Sequence, residues 1–572
     1  MWINWPSWSQ GASNHLVSGV GGDMGQEIWF LKVIQYNLAH GLGLLHSDTI
    51  NVPHGVNLAA LTSMPTLGVL LSPVTALWGP VASYNVATSL APALSAIAMM
   101  WASRRWLNTL WARYVAGLLF GFSPYVMAQN WGHLFLSSVA LFPVMAALIH
   151  EAVIRQKWNS YVTGFFLGLA FTAQLGLSPE LLIDGVFLLL MVSALYAALN
   201  ISRRVMSWNV LKPRLLYLSR AGLVTAAIGL GPALLFVNYF TNGPGSFDGP
   251  YHSVESIFHL STDIAQFVIP TSLIHFSFGL ANTGDHLGYV LGVGKAHVSD
   301  PFEMGGYIGV PLLLVLAGAI VVLRRWRQLA PVYFVAVISA ALSMGHTLHF
   351  MGNDTSLRGP FAGLMKIKFV DNSIASRWTL FMWFGIALIV GHVVDWLVHH
   401  WPQRSRRLMV SAGGILVALG ILAITPQGPY PAMEQQVPHW FTGAAAHEVP
   451  DRTVVVTYPI ARGGYPLPMM WQAVSGMNFD LFGGAAGPQT SFNSPIRNII
   501  NICESSPGST LDTTSDMYRG AVAEYATISH PVLVLAPSHS AAVNPGCGQA
   551  LFNSLSGTKP VAHDDVLVWN LP

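Results

Sequence analysis

An aspartate set just ahead of an apolar helical pattern, in Gly21-Gly22-Asp23-Met24-Gly25-Gln26-Glu27-Ile28-Trp29, is the segment of this 572-residue chain best suited to acid–base chemistry. A carboxylate there can take a proton from a hydroxyl within hydrogen-bond reach. Aspartate before a helix is also a common N-cap, so two readings stand for Asp23, a general base and a cap. Asp48, in His46-Ser47-Asp48-Thr49, reads either as a second catalytic carboxylate or as part of a turn. Glu180 and Asp184 lie four apart just beyond Ser178-Pro179 and share one helix face. Carboxylates in an apolar stretch line a cavity or meet a partner, and both options stand for this pair. A lone histidine at a turn, such as His133 in Trp131-Gly132-His133, is more often hydrogen-bonded than catalytic. His346 and His349 have the spacing of a metal-binding pair on a helix, but no third ligand is set by spacing. Arg358, Lys366, Lys368 and Arg377 gather before an apolar run. They suit the phosphate of a lipid headgroup, with ordinary interfacial snorkelling as the alternative.

The elements that position these groups are mostly membrane helices. Charged residues are 9% of the chain, against about a quarter in a soluble protein, and mean hydropathy is +0.49. About 20 apolar residues cross the bilayer, and runs near 83–102, 112–130, 132–154, 160–177, 179–200, 218–240, 305–323, 329–348, 376–398 and 408–426 meet that length. Most of the 27 basic residues fall in five clusters at alternate gaps, around Arg104, Arg155, Arg203, Arg324 and Arg404. Lys and Arg mark cytoplasmic loops, so the first segment, the loops 241–304 and 349–375 and the tail all face outside. Both termini are then outside, which implies a further helix ahead of Met1. The fold expected is mainly α, a polytopic bundle of about ten spans (eleven with that helix) carrying a C-terminal extracytoplasmic α/β domain.

Three regions follow. Residues 1–82 form an outer first loop, in which Met24–His40 makes an amphipathic helix suited to a membrane surface. Leu58–Trp78 reads as a re-entrant or interfacial helix, with a full span as the alternative. Residues 83–426 are the bundle. Residues 427–572 read as α/β, with strands at Arg452–Tyr458, Pro531–Leu535 and Asp565–Leu571 and helices at Pro495–Glu504 and Asp516–Ile528. Both cysteines, Cys503 and Cys547, lie here; outside the cell they favour a disulfide, with two buried thiols as the alternative. The net charge of +2 gives no reason to expect a nucleic-acid partner. No His-Glu-x-x-His, phosphate-binding Gly-Lys-Ser/Thr loop or Cys-x-x-Cys occurs.

Taken together, Gly22-Asp23 through Trp29, Pro53-His54-Gly55-Val56-Asn57, Phe122-Ser123-Pro124-Tyr125, Gly132-His133-Leu134 and Ala375-Ser376-Arg377-Trp378 resemble the GT-C class of polytopic glycosyltransferases. That class includes protein mannosyltransferases, lipid A aminoarabinose transferases and arabinofuranosyltransferases. The resemblance implies an inverting transfer from a polyprenyl-phosphate sugar to an envelope glycan, lipid or protein acceptor at the outer face. It makes Asp23 the candidate base, and Arg377 with Lys366 or Lys368 the candidate phosphate holder. Asp48 is the candidate second carboxylate, and Glu180, Asp184 and His133 are candidate substrate contacts. The scheme requires no metal, although some members of the class use a divalent one. Two rivals from other classes are a transporter of lipid-linked substrates, which predicts ionisable groups near mid-bilayer and broken helices, and a non-catalytic protein whose outer domain binds glycan.

Overall fold

The computed structural model describes residues 2–17, 23–200, 208–243, 260–287, 301–322, 326–367, 370–401, 403, 405, 407–443, 446, 449–462, 465–484, 494–506, 508–539 and 544–571. Gly21, Gly22, Lys368 and the cluster residues Arg203, Arg204, Arg324, Arg325, Arg404 and Arg406 lie outside that set. Two compact units emerge. The first comprises Met1–Trp5, Ala87–Ala233 and Pro250–Tyr430, and the second Pro6–Val86, Leu234–Gly249 and Pro431–Pro572. Most of 1–82 and of 427–572, read from sequence as separate regions, thus falls in one unit.

Each of the ten apolar runs contains helix. Among the described residues, five helices are long and apolar enough to cross a membrane: Pro65–Ser103, Leu134–Arg155, Pro179–Ala198, Leu211–Asn242 and Ala375–His400. Ser160–Leu175, Val310–Val321, Leu329–Ser343 and Arg407–Ala423 are apolar but shorter. The run at 112–130 is not one helix. Leu110–Gly121 ends, and a second turn begins where the Ser123 hydroxyl accepts the Val126 N–H at 3.3 Å with Pro124 in the first helical position. Its 12 residues rise about 18 Å, short of the hydrocarbon layer. Pro65 starts a helix rather than interrupting one, and Gly79 (φ 85°, ψ 169°) breaks it. Residues 65–78 rise only about 21 Å and 80–103 about 36 Å, so only the second part reaches across.

Within the first unit the helix Thr379–His400 is the central element. The window around it is 72% buried, against 6% for Leu211–Asn242, which turns its apolar surface outward. Gly385 lets it approach the Ala336 backbone of the helix Trp326–Ser343. At its far end Asp395 accepts the Asn108 and Thr109 N–H groups at 2.7 and 2.8 Å, holding the start of Leu110–Gly121. Glu151 does similar work, accepting the Lys157 and Trp158 N–H groups while pairing with Arg105 at 2.5 Å.

The second unit is built on a five-stranded sheet. Its order is Val561–His563, Val566–Trp569, Val532–Leu535, Val454–Tyr458 and Asp480–Leu481, antiparallel across the first two pairings and parallel across the last two. Helices Pro495–Ser505 and Pro545–Ser556 pack on it through Ile496, Ile500, Leu551 and Phe552, and Cys503 and Cys547 form a disulfide in that core. The three expected strands and two helices are present, while Asp480–Leu481 and Val561–His563 are too short to stand out as apolar runs.

The helix expected at 24–40 runs Met24–Ala39, but it does not lie with one apolar face on a membrane. Ile28, Trp29, Phe30, Leu31, Val33 and Ile34 are all buried, which covers several faces. Trp29 donates Nε1–H to Gln472 at 2.7 Å, and Gly25 lies against the Pro466 carbonyl beside the helix Leu467–Val474. Tertiary packing has used the surface that the sequence pattern assigned to lipid.

Candidate functional site

In the first unit, residues from four separate stretches converge on Arg377. Its Nε and Nη2 donate to Glu303 Oε1 at 3.1 and 2.8 Å, and its Nη1 donates to Glu180 Oε2. The second Glu303 oxygen accepts from Ser376 Oγ at 2.8 Å and from Gln129 Nε2 at 3.1 Å. Gln129 Oε1 lies 2.8 Å from His133 Nδ1, which is 3.8 Å from Glu303. Glu180 also accepts the Ile374 N–H at 2.9 Å, and Asp184 accepts the Ser373 hydroxyl at 2.8 Å. Arg377 is 5% exposed and Asp184 fully buried. Burial alone would raise the Glu303 carboxyl, but Arg377 and His133 beside it outweigh that and hold it down at about 2.

This arrangement brings together Glu180, Asp184, His133 and Arg377, and changes what Arg377 can do. Its fork is buried and occupied by two carboxylates, Glu303 and Glu180. A buried guanidinium must be paired, and the neighbouring carboxylates satisfy that requirement. The basic side chains before it differ in setting: Arg358, on the strand Asn353–Arg358, and Lys366, at the end of Pro360–Lys366, are exposed. Glu303, Gln129 and Ser376 were not singled out from sequence. Glu303 carried one available signal, as an acid immediately before the apolar run at 305–323.

Asp23 and Asp48 belong to the second unit. Asp23 stands at the N-cap position of Met24–Ala39, and its carbonyl accepts the Glu27 N–H at 2.8 Å, but its side chain makes no capping bond. The cap reading therefore holds for the backbone alone. One turn on, Glu27 is 1% exposed, and both carboxylates act electrostatically on the buried Tyr84. Glu27 shares a face with Asp23 by its i+4 spacing, a signal present in the sequence. The helix is held through Trp29 and Gln472, so any chemistry at Asp23 sits on a fixed element.

Asp48 is exposed and lies 2.5 Å from His46 Nε2, at a turn between the paired strands His46–Ser47 and Val56–Asn57. That geometry is a turn contact. His346 and His349 do not share a helix, because the helix ends at Ser343, Gly345 adopts φ 81° and Thr347–Phe350 is a strand. His349 instead pairs with Asp354 at 2.6 Å. Among the described residues, no three His, Cys, Asp or Glu side chains gather as a metal site. A cavity of about 140 Å³ in the second unit, lined by Asn51, His54, Arg497 and Glu524 among others, contains neither Asp23 nor Asp48.

Aligned over 100% of its length, the chain matches the arabinofuranosyltransferase AftD from Mycobacteria with a TM-score of 0.51 at 12% identity. It shares that fold. The chain spans 39% of AftD's length. It also aligns with the oligosaccharyltransferase of Archaeoglobus fulgidus tethered with an acceptor peptide (TM-score 0.47, 12% identity, 91% of this chain and 65% of that one). A third match is ArnT from Cupriavidus metallidurans (TM-score 0.44, 12% identity, 97% and 94%). These solved structures are GT-C glycosyltransferases, the class that the sequence motifs resemble. No protein-family model and no curated protein matches the chain.

Proposed function

We propose that this protein is a membrane glycosyltransferase that moves a sugar from a polyprenyl-phosphate donor to an acceptor hydroxyl at the outer face of the membrane. The shared fold supplies the class by analogy. The observation that carries the reading is Asp23, a half-buried aspartate at the start of a helix held rigidly through Trp29 and Gln472. Asp23 takes the proton of the acceptor hydroxyl as its oxygen attacks the anomeric carbon, the bond from that carbon to the phosphate oxygen breaks, and the lipid phosphate leaves with inverted configuration at the sugar. A phosphate leaving group needs nearby positive charge rather than a strong acid. Arg377 acts indirectly, fixing the loop at 373–377 through Glu180 and Glu303. The scheme needs no metal.

The test uses purified protein, a panel of radiolabelled polyprenyl-phosphate sugars and a membrane extract as acceptor source. Wild type should transfer label from one donor, and Asp23→Asn should lose transfer by roughly 10²–10⁴-fold, the usual contribution of a positioned base. Equal transfer by both proteins removes Asp23 from the mechanism. No transfer with any donor counts against the glycosyltransferase reading itself.

A further inference from the structure

At one end of the bundle, large apolar side chains point into solvent from two segments that are fastened together. Phe350 and Met351, 53% and 45% exposed, lie at the tip of the hairpin made by Thr347–Phe350 and Asn353–Arg358, and Leu357, 62% exposed, lies on its second strand. Phe278, 84% exposed, projects from the loop at 260–287. Isolated exposed apolar residues need no explanation, but here the structure holds them in place. Asp263 of the same loop accepts the Met351 and Gly352 N–H groups at 3.2 and 2.8 Å, clamping the hairpin tip.

We propose that this clamped hairpin and loop form a wedge that docks on the phospholipid headgroup layer of the bilayer, with Arg358 and Lys366 at the level of the phosphates. Three observations select a lipid surface as the occupant. First, the wedge continues the lipid-facing surface: the hairpin follows directly on the apolar helix Trp326–Ser343. The loop is tied to the end of Arg407–Ala423 by the His275 N–H to Thr425 carbonyl and Gln427 N–H to Leu273 carbonyl bonds, at 2.9 and 2.7 Å. Second, two exposed basic residues, Arg358 beside Leu357 and Lys366 after it, match anionic headgroups, against the exposed acid Asp354. Asp354, an acid of the same hairpin, is paired with His349. Third, the backbone limits the depth. A two-stranded sheet has open edges, which do not enter hydrocarbon, so only the side chains dip, by about 5–10 Å into the boundary between headgroups and acyl chains. The wedge stands independently of the glycosyltransferase reading.

Both cysteines of the chain are bonded to each other, so Phe278→Cys or Met351→Cys adds a single reactive thiol for a nitroxide label. The labelled full-length protein is reconstituted into nanodiscs of phosphatidylcholine with phosphatidylglycerol. Collisional relaxation is then read with oxygen, which partitions into lipid, and with a water-soluble nickel chelate. Labels at 278 and 351 should be several-fold more accessible to oxygen than to nickel, and a label at the exposed Thr513 of the second unit should show the reverse. Nickel access at 278 and 351 equal to that at Thr513 overturns the proposal. Leu357→Cys replaces either variant that fails to elute as a single folded species. Replacing Arg358 and Lys366 together with glutamine should lower co-purified phosphatidylglycerol several-fold; unchanged retention overturns the placing of these two charges at the phosphates.

Discussion

Replacing Arg377 with methionine strands two carboxylates whose cation has gone. Arg377 and Glu303 are 5% and 6% exposed, and the guanidinium donates twice to Glu303 and once to Glu180. Removing one partner of such a buried pair costs about 3–5 kcal/mol. A second route gives a similar figure. The Glu303 carboxyl is held at about 2 rather than its ordinary 4.5, and at about 1.4 kcal/mol per unit this corresponds to roughly 3 kcal/mol. For a unit of several hundred residues, about 2 °C of midpoint accompanies each kcal/mol, so Arg377→Met should lower the thermal midpoint by about 6–10 °C. Intrinsic tryptophan fluorescence during heating in detergent measures it. The pH dependence has a fixed sign. A depressed carboxyl stabilises fully above 4.5 and loses that contribution as pH falls toward about 2. The gap between wild type and variant should therefore narrow over that window. Adding Glu303→Gln should recover part of the loss, because one orphaned charge disappears. A midpoint shift below about 2 °C, or a gap that widens toward acid pH, would refute the reasoning.

Three other outcomes are expected in the second unit. Changing both Cys503 and Cys547 to serine releases a link between residues 44 apart, worth about 4 kcal/mol by loop entropy, so the sheet should unfold at clearly lower denaturant in the variant; coincident curves count against a stabilising role. Gln472→Leu leaves the Trp29 N–H and the Phe479 carbonyl without their partner, at about 1–3 kcal/mol for each group left unsatisfied, while the Thr49 carbonyl keeps the Leu481 N–H, and its loss should appear as a lower midpoint in the same assay. Burial pushes the Asp480 carboxyl up to about 6, with Asp48 adding to the rise and Arg452 opposing it. The folded state then binds the proton more tightly than the unfolded one, and stability of the unit should fall as pH rises from about 3.8 to about 6. In Asp480→Asn that slope should become shallower, with the raised Glu504 carboxyl supplying what remains, as read from denaturation midpoints across the window.

Periodicity and length made the helices legible, because a membrane leaves the backbone few alternatives. The strands at 454–458, 532–535 and 566–569 were legible for a related reason, since buried strands read as short apolar runs. The break at Phe122 was written in Ser123-Pro124 but masked by the apolar residues around it. Packing between distant segments was not legible. The helix at 24–39 carried a pattern that fits a membrane surface, and the partners that bury it, Gly68 as well as Pro466 and Gln472 more than 400 residues away, are not written in its own pattern. At the site, Glu180, Asp184, His133 and Arg377 were chosen for residue type and place. Their convergence required Glu303, which nothing in the local sequence links to them.

The bond between Trp29 and Gln472 joins residues 443 positions apart. A ribosome working at about 5–20 residues per second needs roughly 20–90 s to make the intervening chain. For that interval the helix carrying Asp23 can meet early partners such as Gly68 at Ile34, but lacks the cover that Pro466 and Gln472 supply at Gly25 and Trp29. Its final placement is therefore among the last events of biogenesis, and a nascent chain truncated before residue 472 leaves this segment exposed to proteases and to aggregation. Completion of the tail thus acts as a quality check on the head of the molecule.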